Sequence, residues 1–456
     1  MNNAWTASAR LAAHAASSDF ASLPAATVAA VKAFTLDSIG VGIAGAASPY
    51  AAAVRDAACG WGDGNDAHVW TAGVRLPACN AAFANAFQAH CQEFDCVHEA
   101  AVLHPFTVVV PVLLAEAEAR GMDGETYIAA CAAGVDVAVT LGVAATTQIR
   151  FFRPATCGLF GAVAALSRAR GLAQDAIVDA FGYALAFASG TMQAHVEGTP
   201  ALALQVANAA RAAFQAVDLA ARGLPGPKGA IEGPFGYLTL FEAGSDLEAA
   251  LAALPARRRA AEVAWKPFPT GRAAHGGIDM ALELGGHCDP EAIRSVEIEA
   301  TPLILHLVGR PIVQPLEVNY ARLCLPFAVA VALTRGGVDL TTFAPEILQD
   351  RDVHALAARV VVRANGVVDP AAFTPQTMRI TLNDGRSLEA RRDILLGAPA
   401  RPLSPAQQRA KLDGNLAFGF GAPQPVLGDA LTSACADLDR LDNAAQLAVL
   451  AAGRSS

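Results

Sequence analysis

Long runs of small aliphatic residues at helical spacing fill the first half of this 456-residue sequence and constrain its fold more than any other feature. Glycine, proline or polar residues separate these runs, which lie at 22–45, 81–90, 106–121, 124–145, 157–171, 173–189 and 201–223. Hydrophobic residues make up 54% of the chain but aromatic residues only 6%, and alanine has the highest helix propensity. We therefore predict a large all-helical domain of closely packed helices over residues 1–267.

Composition narrows the classes of function. The 33 Lys+Arg and 42 Asp+Glu give a net charge of -9, whereas a nucleic-acid-binding face needs basic residues. The most apolar stretches, 108–115 and 135–145, are shorter than the roughly 18 residues of a membrane span. The nine cysteines include no CxxC pair, which favours reduced thiols over a disulfide framework. We expect a cytoplasmic protein that binds neither nucleic acid nor membrane.

Strand signals begin after residue 267. Residues 295–300 alternate Val and Ile with Glu in the manner of a half-buried strand, and residues 360–362 are a second candidate. Residues 378–392 alternate around Asn-Asp-Gly, whose residues tolerate a positive φ, and therefore predict a hairpin. With a helix predicted at 318–336, we expect residues 268–399 to form a smaller α+β domain.

Helical signals return near the C-terminus. Residues 404–407, Ser-Pro-Ala-Gln, have the form of a capping box with proline at the first helical position, and residues 429–452 predict a further helix. We therefore expect residues 400–456 to rejoin the helical domain, which makes the α+β domain an insertion. The fold class predicted for the chain is mainly α.

One phosphate-loop pattern is present by letter alone. Residues 40–45, Gly-Val-Gly-Ile-Ala-Gly, fit the form GxGxxG. A dinucleotide fingerprint follows a strand and opens a helix, whereas these glycines end a predicted helix. We expect them to allow close helix packing, and we predict no nucleotide cofactor.

The densest polar cluster lies at residues 90–105, where three histidines and three carboxylates interrupt the helical runs. Polar groups among core residues must be paired, and desolvation and neighbouring charges move their pKa values. Such a group suits proton transfer. Two other interpretations stay open: a hydrogen-bonded scaffold that caps helix ends, and a metal site, although no HExxH-like spacing supports a metal.

Two cationic segments are candidates for anion binding. Lys266, Arg272 and His275 lie on a proline-stiffened segment at the predicted domain boundary, where ligand clefts are common. Arg150 and Arg153 precede a predicted helix, and a helix N-terminus beside an arginine favours an anion. The alternative for both segments is solvated surface charge.

Taken in order, these motifs resemble the MmgE/PrpD family, which includes 2-methylcitrate dehydratase, cis-aconitate decarboxylase and iminodisuccinate epimerase. The resemblance runs over residues 22–452 and is most specific at 90–105, which matches most of the pattern H-x-x-[DE]-F-D-D-x-H-E-x-x-x-x-H-P. Other segments that are similar to family motifs lie at 37–45, 197–198, 208–211, 266–275 and 321–330.

The resemblance implies a helical domain, an α+β lid domain, a homodimer, and a site between the domains that needs no cofactor and no metal. The implied substrate is a small di- or tricarboxylate. The implied chemistry is abstraction of a proton next to a carboxyl group, followed by loss of water or CO2, or by reprotonation. We therefore expect a cofactor-independent lyase of the dehydratase or decarboxylase type. An epimerase or isomerase that uses the same proton abstraction, and a non-catalytic family member, are the alternatives.

The resemblance also assigns roles to individual residues. His104 is the candidate general base or acid, oriented by Asp95 or Glu93, with His98 as second choice. The residues predicted to bind substrate are Lys266, Arg272, His275 and Arg153.

Several positions depart from the family pattern. They are Glu93 and Cys96 where Asp is usual, Val97 for Thr, Arg153 for His, Leu202 for Lys, Cys324 for Ser and Phe327 for Tyr. Leu202 cannot donate a charged hydrogen bond to a substrate carboxylate as a lysine could. Such a hydrogen bond contributes roughly 1.5–3 kcal/mol. Phe327 lacks a hydroxyl that donates a proton, and Arg153 cannot act as a base at neutral pH. We expect a substrate with fewer or differently placed carboxylates than 2-methylcitrate or cis-aconitate.

Overall fold

The computed structural model describes residues 6–254 and 256–453, and the prediction of a mainly α chain is confirmed. Most of the first half is helical, but two short antiparallel strands, β1 (Ala67–His68) and β2 (Arg75–Leu76), correct the expectation of helices alone. The helices of this half are α1 (Thr6–Ser17), α2 (Ala25–Gly45), α3 (Ala51–Cys59), α4 (Ala78–His90), α5 (Pro105–Arg120), α6 (Gly124–Ala144), α7 (Arg153–Ala169), α8 (Gln174–Phe187), α9 (Gln193–Glu197), α10 (Ala201–Ala221), α11 (Tyr237–Phe241) and α12 (Leu247–Ala253).

Small residues allow these helices to pack closely. A Cβ built on Gly134 in α6 would lie 2.7 Å from the carbonyl oxygen of Gly161 in α7. A Cβ on Gly45 in α2 would lie 1.9 Å from the carbonyl oxygen of Gln88 in α4. The glycines of residues 40–45 therefore lie inside a helix and serve its packing, as predicted.

Two helices are longer and more apolar than the sequence runs indicated. By length and composition, α2 and α6 would each suffice to cross a membrane, which corrects the expectation from the shorter stretches. In the fold, 67% and 94% of their most apolar windows are buried, and Asp136 lies within α6 fully buried. Such burial is typical of core helices.

A second hydrophobic core lies within residues 268–395. Its sheet has the strand order β4-β3-β5-β6, with β3 and β4 parallel and the other pairs antiparallel. The elements are α13 (His275–Gly285), β3 (Ile293–Ala300), α14 (Pro302–Val308), α15 (Val318–Ala321), α16 (Leu325–Arg335), α17 (Pro345–Leu348), α18 (Arg351–Ala357), β4 (Val360–Ala364), β5 (Gln376–Leu382) and β6 (Ser387–Arg392). The predicted hairpin is confirmed, but the single helix predicted at 318–336 is two helices, because a new helix begins at Leu325 with Pro326 in its first turn.

The C-terminal helices pack on the first core. They are α19 (Pro405–Phe420), α20 (Pro425–Ala436) and α21 (Ala445–Ala451), so the single helix predicted at 429–452 is wrong. The predicted capping box is present, because Ser404 Oγ accepts from the Gln407 backbone and the Gln407 side chain accepts from the Ser404 backbone. Helix α19 lies against α2, with Leu412 next to Gly40.

Candidate active site

The polar cluster lies on the loop between α4 and α5. The backbone of this loop is strained, and hydrogen bonds fix it to a neighbouring segment. Glu93 and Val102 have φ values of 51° and 50°, a region that costs a non-glycine residue about 1–3 kcal/mol. Val97 exchanges two backbone hydrogen bonds with Ala264, of 3.0 and 2.7 Å. This bridge holds the segment that includes Lys266 against the loop.

Asp95 is the hub of the cluster and is 1% exposed. Its Oδ2 accepts from His90 Nδ1 at 2.9 Å and from the Thr107 hydroxyl, and it lies 3.2 Å from His104 Nδ1. Burial alone would raise the pKa of Asp95, but His104, His90 and Lys266 hold that pKa well below 3.8. Burial likewise opposes charge on His90, but the Asp95 carboxylate raises the pKa of His90 above 6.5.

The hydrogen bonds of His104 assign its tautomer. Its Nδ1 lies 2.8 Å from the carbonyl oxygen of Cys96, which can only accept, so Nδ1 carries a proton. Nε2 makes no hydrogen bond to any residue that the structure describes. The neutral ring therefore presents a lone pair at Nε2, the arrangement that a general base needs.

Lys266 is fully buried beneath the loop and does not line the cavity described below. Its Nζ donates to the side chain and the backbone carbonyl of Glu93, both at 3.1 Å, and lies 3.8 Å from Asp95 Oδ1. Burial would raise the pKa of Glu93, but Lys266 and the two histidines lower it. Lys266 thus holds both carboxylates ionised, and it lies behind Glu93 instead of facing a ligand.

A cavity of about 50 Å³ lies between the two cores beside this cluster. Its walls come from both parts of the chain, and they include Glu93, His104, Phe152, His195, Arg272 and Phe373. A larger cavity of about 1010 Å³ lies near Tyr50, Arg322 and Phe343, but none of the titratable groups gathered around Asp95 lines it. We therefore place the candidate active site at the smaller cavity.

Arg272 lines the cavity on the side of the second core, and His275 contacts Arg272 without lining the cavity. Arg272 donates to Glu99 at 2.6 and 2.9 Å and to the carbonyl oxygens of Trp265 and Leu396. His275 lies between Arg272 and the carbonyl oxygen of Thr270, at 3.2 and 3.3 Å. Burial and the Arg272 charge hold the pKa of His275 well below 6.5. Both side chains are thus engaged within the protein.

The structure turns His98 and Arg153 away from the cavity. His98 Nε2 lies 2.9 Å from Glu262. Arg153 makes two hydrogen bonds of 2.9 Å to Glu242 and further bonds to backbone carbonyls, and it is 2% exposed. The structure therefore brings His104, Asp95, Glu93 and Lys266 together, but it pairs His98 and Arg153 with carboxylates elsewhere.

His90, Asp95 and His104 also satisfy the spacing of a metal site, since one ligand atom of each lies within 4.8 Å of the others. Their surroundings favour proton transfer instead. The Lys266 ammonium group, 3.8 Å from Asp95, would repel a metal cation. Nδ1 of His104 carries a proton and donates a hydrogen bond to the carbonyl oxygen of Cys96, so this nitrogen has no lone pair for a metal.

Two side chains near the site were not singled out from the sequence. His90 is part of the 90–105 pattern, and its hydrogen bond to Asp95 places it beside His104, with ring centres 5.1 Å apart. His195 lies in the short helix α9, just before α10, and lines the cavity. Leu202 lines a neighbouring cavity of about 20 Å³ with His90 and Glu93, so its lack of charge bears on this site.

Three curated proteins are similar to this chain over most of its length. The chain is 26% identical over 441 residues to cis-aconitate decarboxylase of Mus musculus, which covers 92% of this chain and 87% of the relative. It is 26% identical over 363 residues to cis-aconitate decarboxylase of Homo sapiens, a match that covers 75% of this chain and 73% of the relative. It is also 26% identical over 395 residues to cis-aconitate decarboxylase-like protein oryM of Aspergillus oryzae, covering 80% and 82%.

Two domains of a single family also match the chain. Residues 9–250 match the MmgE/PrpD N-terminal domain and residues 268–427 match the MmgE/PrpD C-terminal domain. Together they include residues of both cores and every residue that lines the cavity. The chain belongs to the MmgE/PrpD family, as its sequence motifs predicted.

Proposed function

We propose that this protein is a lyase of the dehydratase or decarboxylase type that acts on a small carboxylic acid. The observation that carries the proposal is the fixed tautomer of His104. Its Nδ1 is held by Cys96 and Asp95, so its free Nε2 is left for the cavity. The names of the curated relatives support a lyase over an epimerase.

The proposed reaction begins when His104 Nε2 takes a proton from the carbon next to a carboxyl group. The C–H electron pair forms a double bond, and hydroxide leaves the neighbouring carbon and takes the proton now held by His104, which gives water. For a decarboxylation, no proton is abstracted first: the C–CO2 bond breaks, CO2 leaves, and the electron pair of that bond stays on the carbon. His104, which has first taken a proton from solvent, then supplies that proton to the carbon. In both cases the Asp95 carboxylate stabilises the imidazolium that forms, because it lies 3.2 Å from Nδ1.

Neighbouring charges prepare this site before substrate binds. Lys266 keeps Glu93 and Asp95 ionised, so neither carboxylate needs to lose a proton during the reaction. Glu93 is left at the cavity wall, where it is placed to orient the substrate or the departing hydroxyl group. No step in this scheme requires a cofactor.

We further propose that the second core acts as a lid domain. The cavity of about 50 Å³ holds a few water molecules at most, and its walls come from both cores. A substrate of four or more carbons therefore enters when the two cores move apart, and closure excludes water from the reacting atoms.

The substrate proposed here differs from cis-aconitate in its carboxylates. Arg153 is paired with Glu242, and Leu202 supplies no cation beside Glu93. Phe327 has no hydroxyl, and it is fully buried with its ring tilted against that of Phe343. Fewer cationic partners favour a substrate with fewer or differently placed carboxylates.

A ligand-stabilisation screen followed by turnover in D2O tests this proposal. Di- and tricarboxylates that bind the folded protein raise its Tm, and each that does is then incubated with enzyme. We expect at least one to lose water or CO2, and His104→Gln to lower kcat by about 10²–10⁴-fold. His354→Gln is the matched control, because His354 is also buried and hydrogen-bonded but lies away from the site.

Three results would contradict the proposal. The first is a screen in which no carboxylate raises the Tm or is converted. The second is a His104→Gln protein, folded by circular dichroism, that retains the activity of the wild type. The third is deuterium incorporation next to the carboxyl group without an unsaturated or decarboxylated product, which would instead establish the epimerase alternative.

A further inference from the structure

His195 shares the cavity with His104 but is held in a different way. It lies in α9 and is 6% exposed. The Nη2 atom of Arg310 lies 3.1 Å from His195 Nδ1 and 2.9 Å from the backbone oxygen of His195. Nδ1 is thus turned toward Arg310, and Nε2 is the ring nitrogen that remains for the cavity.

This contact fixes the protonation of His195. A guanidinium group can only donate, so Nδ1 must accept and cannot carry a proton. The ring is therefore neutral, with its proton on Nε2. Burial and the Arg310 charge lower the pKa of His195 to about 3, in agreement with this assignment. His104 has the opposite tautomer, so one cavity holds a histidine that accepts at Nε2 and a histidine that donates there.

Arg310 differs from the other cations near the site. Lys266, Arg272 and Arg153 each pair with a carboxylate. Arg310 has no acidic partner among residues 6–254 and 256–453, and its Nη1 atom is buried without a hydrogen bond. The positive charge of Arg310 is therefore not paired with a carboxylate of these residues.

We propose that His195 is a carboxylate-binding residue of this site, whose neutral Nε2–H donates to an oxygen of the substrate while Arg310 fixes the ring's tautomer and supplies the balancing charge. His195 touches the substrate, and Arg310 is a positioning residue. The inference rests on the proposed function, and it names the group that replaces the cation missing at Leu202.

A neutral donor has a chemical advantage here. Because the neutral ring of His195 does not take up a second proton near neutral pH, it does not compete with His104 for the proton taken from the substrate. As that proton leaves, negative charge grows on the adjacent carboxyl oxygen, and a fixed N–H donor stabilises that charge most in the transition state.

The first test compares three substitutions at one position. Glutamine places its amide N–H group near the position of Nε2, whereas leucine removes the donor and asparagine reaches only as far as Nδ1. The probes are succinate, citrate and propane-1,2,3-tricarboxylate, with affinity measured by calorimetry. For each probe that the wild type binds, we expect Kd to rise roughly 10- to 100-fold in H195L and H195N, and to stay within a few fold in H195Q.

The second test uses Arg310→Met, which frees Nδ1 of His195. The ring can then take a second proton, so carboxylate binding by the variant should strengthen as the pH falls through about 6.5. In the wild type, His195 should make no contribution to the pH dependence of binding in this range. The other titratable groups that act on His195 are Glu93 and His306. Glu93 titrates at lower pH, and repeating the measurement with His306→Gln added removes the contribution of His306.

The third test reads the tautomer directly. In protein labelled with ¹⁵N-histidine, two-bond proton–nitrogen correlations show which ring nitrogen carries the proton, and the signals of His195 are those absent in H195Q. We expect Nε2–H at pH 7 in the wild type. A proton on Nδ1, or an imidazolium at pH 7, would overturn the inference, as would unchanged Kd values in a folded H195L protein.

The binding measurements separate this inference from the proposed function. If carboxylates bind in a His195-dependent way but none is converted, the lyase proposal fails and the inference about His195 is supported. If a carboxylate is converted and H195L retains the wild-type KM and kcat, the lyase proposal is supported and the inference fails.

Discussion

Replacing Lys266 by methionine should destabilise the folded protein through two buried carboxylates. At an effective dielectric constant of about 20, distances of 3.1 Å to Glu93 and 3.8 Å to Asp95 correspond to attractions of about 5 and about 4 kcal/mol. Desolvation of the ammonium group offsets part of this, and breaking a buried pair usually costs about 3–5 kcal/mol. At about 2.1 cal/mol/K per residue, this cost lowers the Tm by about 3–5 °C if the chain unfolds as one unit.

The loss of stability caused by K266M should depend on pH. Glu93 and Asp95 have folded-state pKa values below their unfolded values, so their stabilisation is present above about pH 4.5. For Glu93 it is lost as the pH falls toward the folded pKa of about 2. Without Lys266, both carboxylates take up protons at higher pH in the folded state. The Tm difference between wild type and K266M should therefore shrink between pH 7 and pH 4.

Differential scanning calorimetry at pH 7, 5.5 and 4 measures both effects. Lys228→Met is the matched control, because Lys228 pairs with Asp179 at the surface with 47% of its side chain exposed. Exposed pairs contribute about 0–1 kcal/mol, so the Tm of that variant should change by less than about 1 °C. A K266M deficit that is equal at all three pH values would show that packing, not charge, accounts for the stability, and the reasoning would be refuted.

Three further predictions concern buried charge and helix packing, and calorimetry checks each of them. Glu242→Gln leaves Arg153 buried without its carboxylate, so we expect a loss of about 3–5 kcal/mol; a Tm within 1 °C of wild type would contradict this. Gly45→Ala would place a Cβ 1.9 Å from the Gln88 carbonyl oxygen and should cost about 1–3 kcal/mol. Gly414→Ala, at an exposed helical position with nothing within 4 Å, should instead stabilise by about 0.5–1 kcal/mol.

Elements with local signals could be predicted from the sequence. The hairpin around residues 383–385 depends on alternation and a turn, and the cap at Ser404 depends on four consecutive residues. The glycines of α2 were recognised as helical because no strand precedes them. In each case the interactions that define the structure lie within one short segment.

Elements that depend on distant contacts could not be predicted. The parallel pairing of β3 with β4 joins segments that carry no signal for one another. The predicted helix 429–452 fails at residues 437–444, where the chain instead bonds back to the turn between α5 and α6. The apolar pattern alone does not reveal such tertiary interruptions.

In the candidate site, too, local sequence patterns could be predicted and contacts between distant residues could not. Residues 90–105 could be found because the cluster is contiguous, and their proximity to Lys266 was expected. The partner of Arg153 lies 89 residues away at Glu242, and the partner of His195 lies 115 residues away at Arg310. An isolated glutamate or arginine has no local pattern, so the sequence could not show which cations are neutralised.

The packing of α19 on α2 has a consequence for biosynthesis. Helix α2 leaves the ribosome early, yet the residues that cover it, such as Leu412 against Gly40, come after the whole sheet-containing part. At roughly 5–20 residues per second, translation of the intervening segment takes on the order of ten seconds or more. During that interval an apolar face of the nascent chain stays uncovered, and the N-terminal helices complete their core only when α19–α21 arrive.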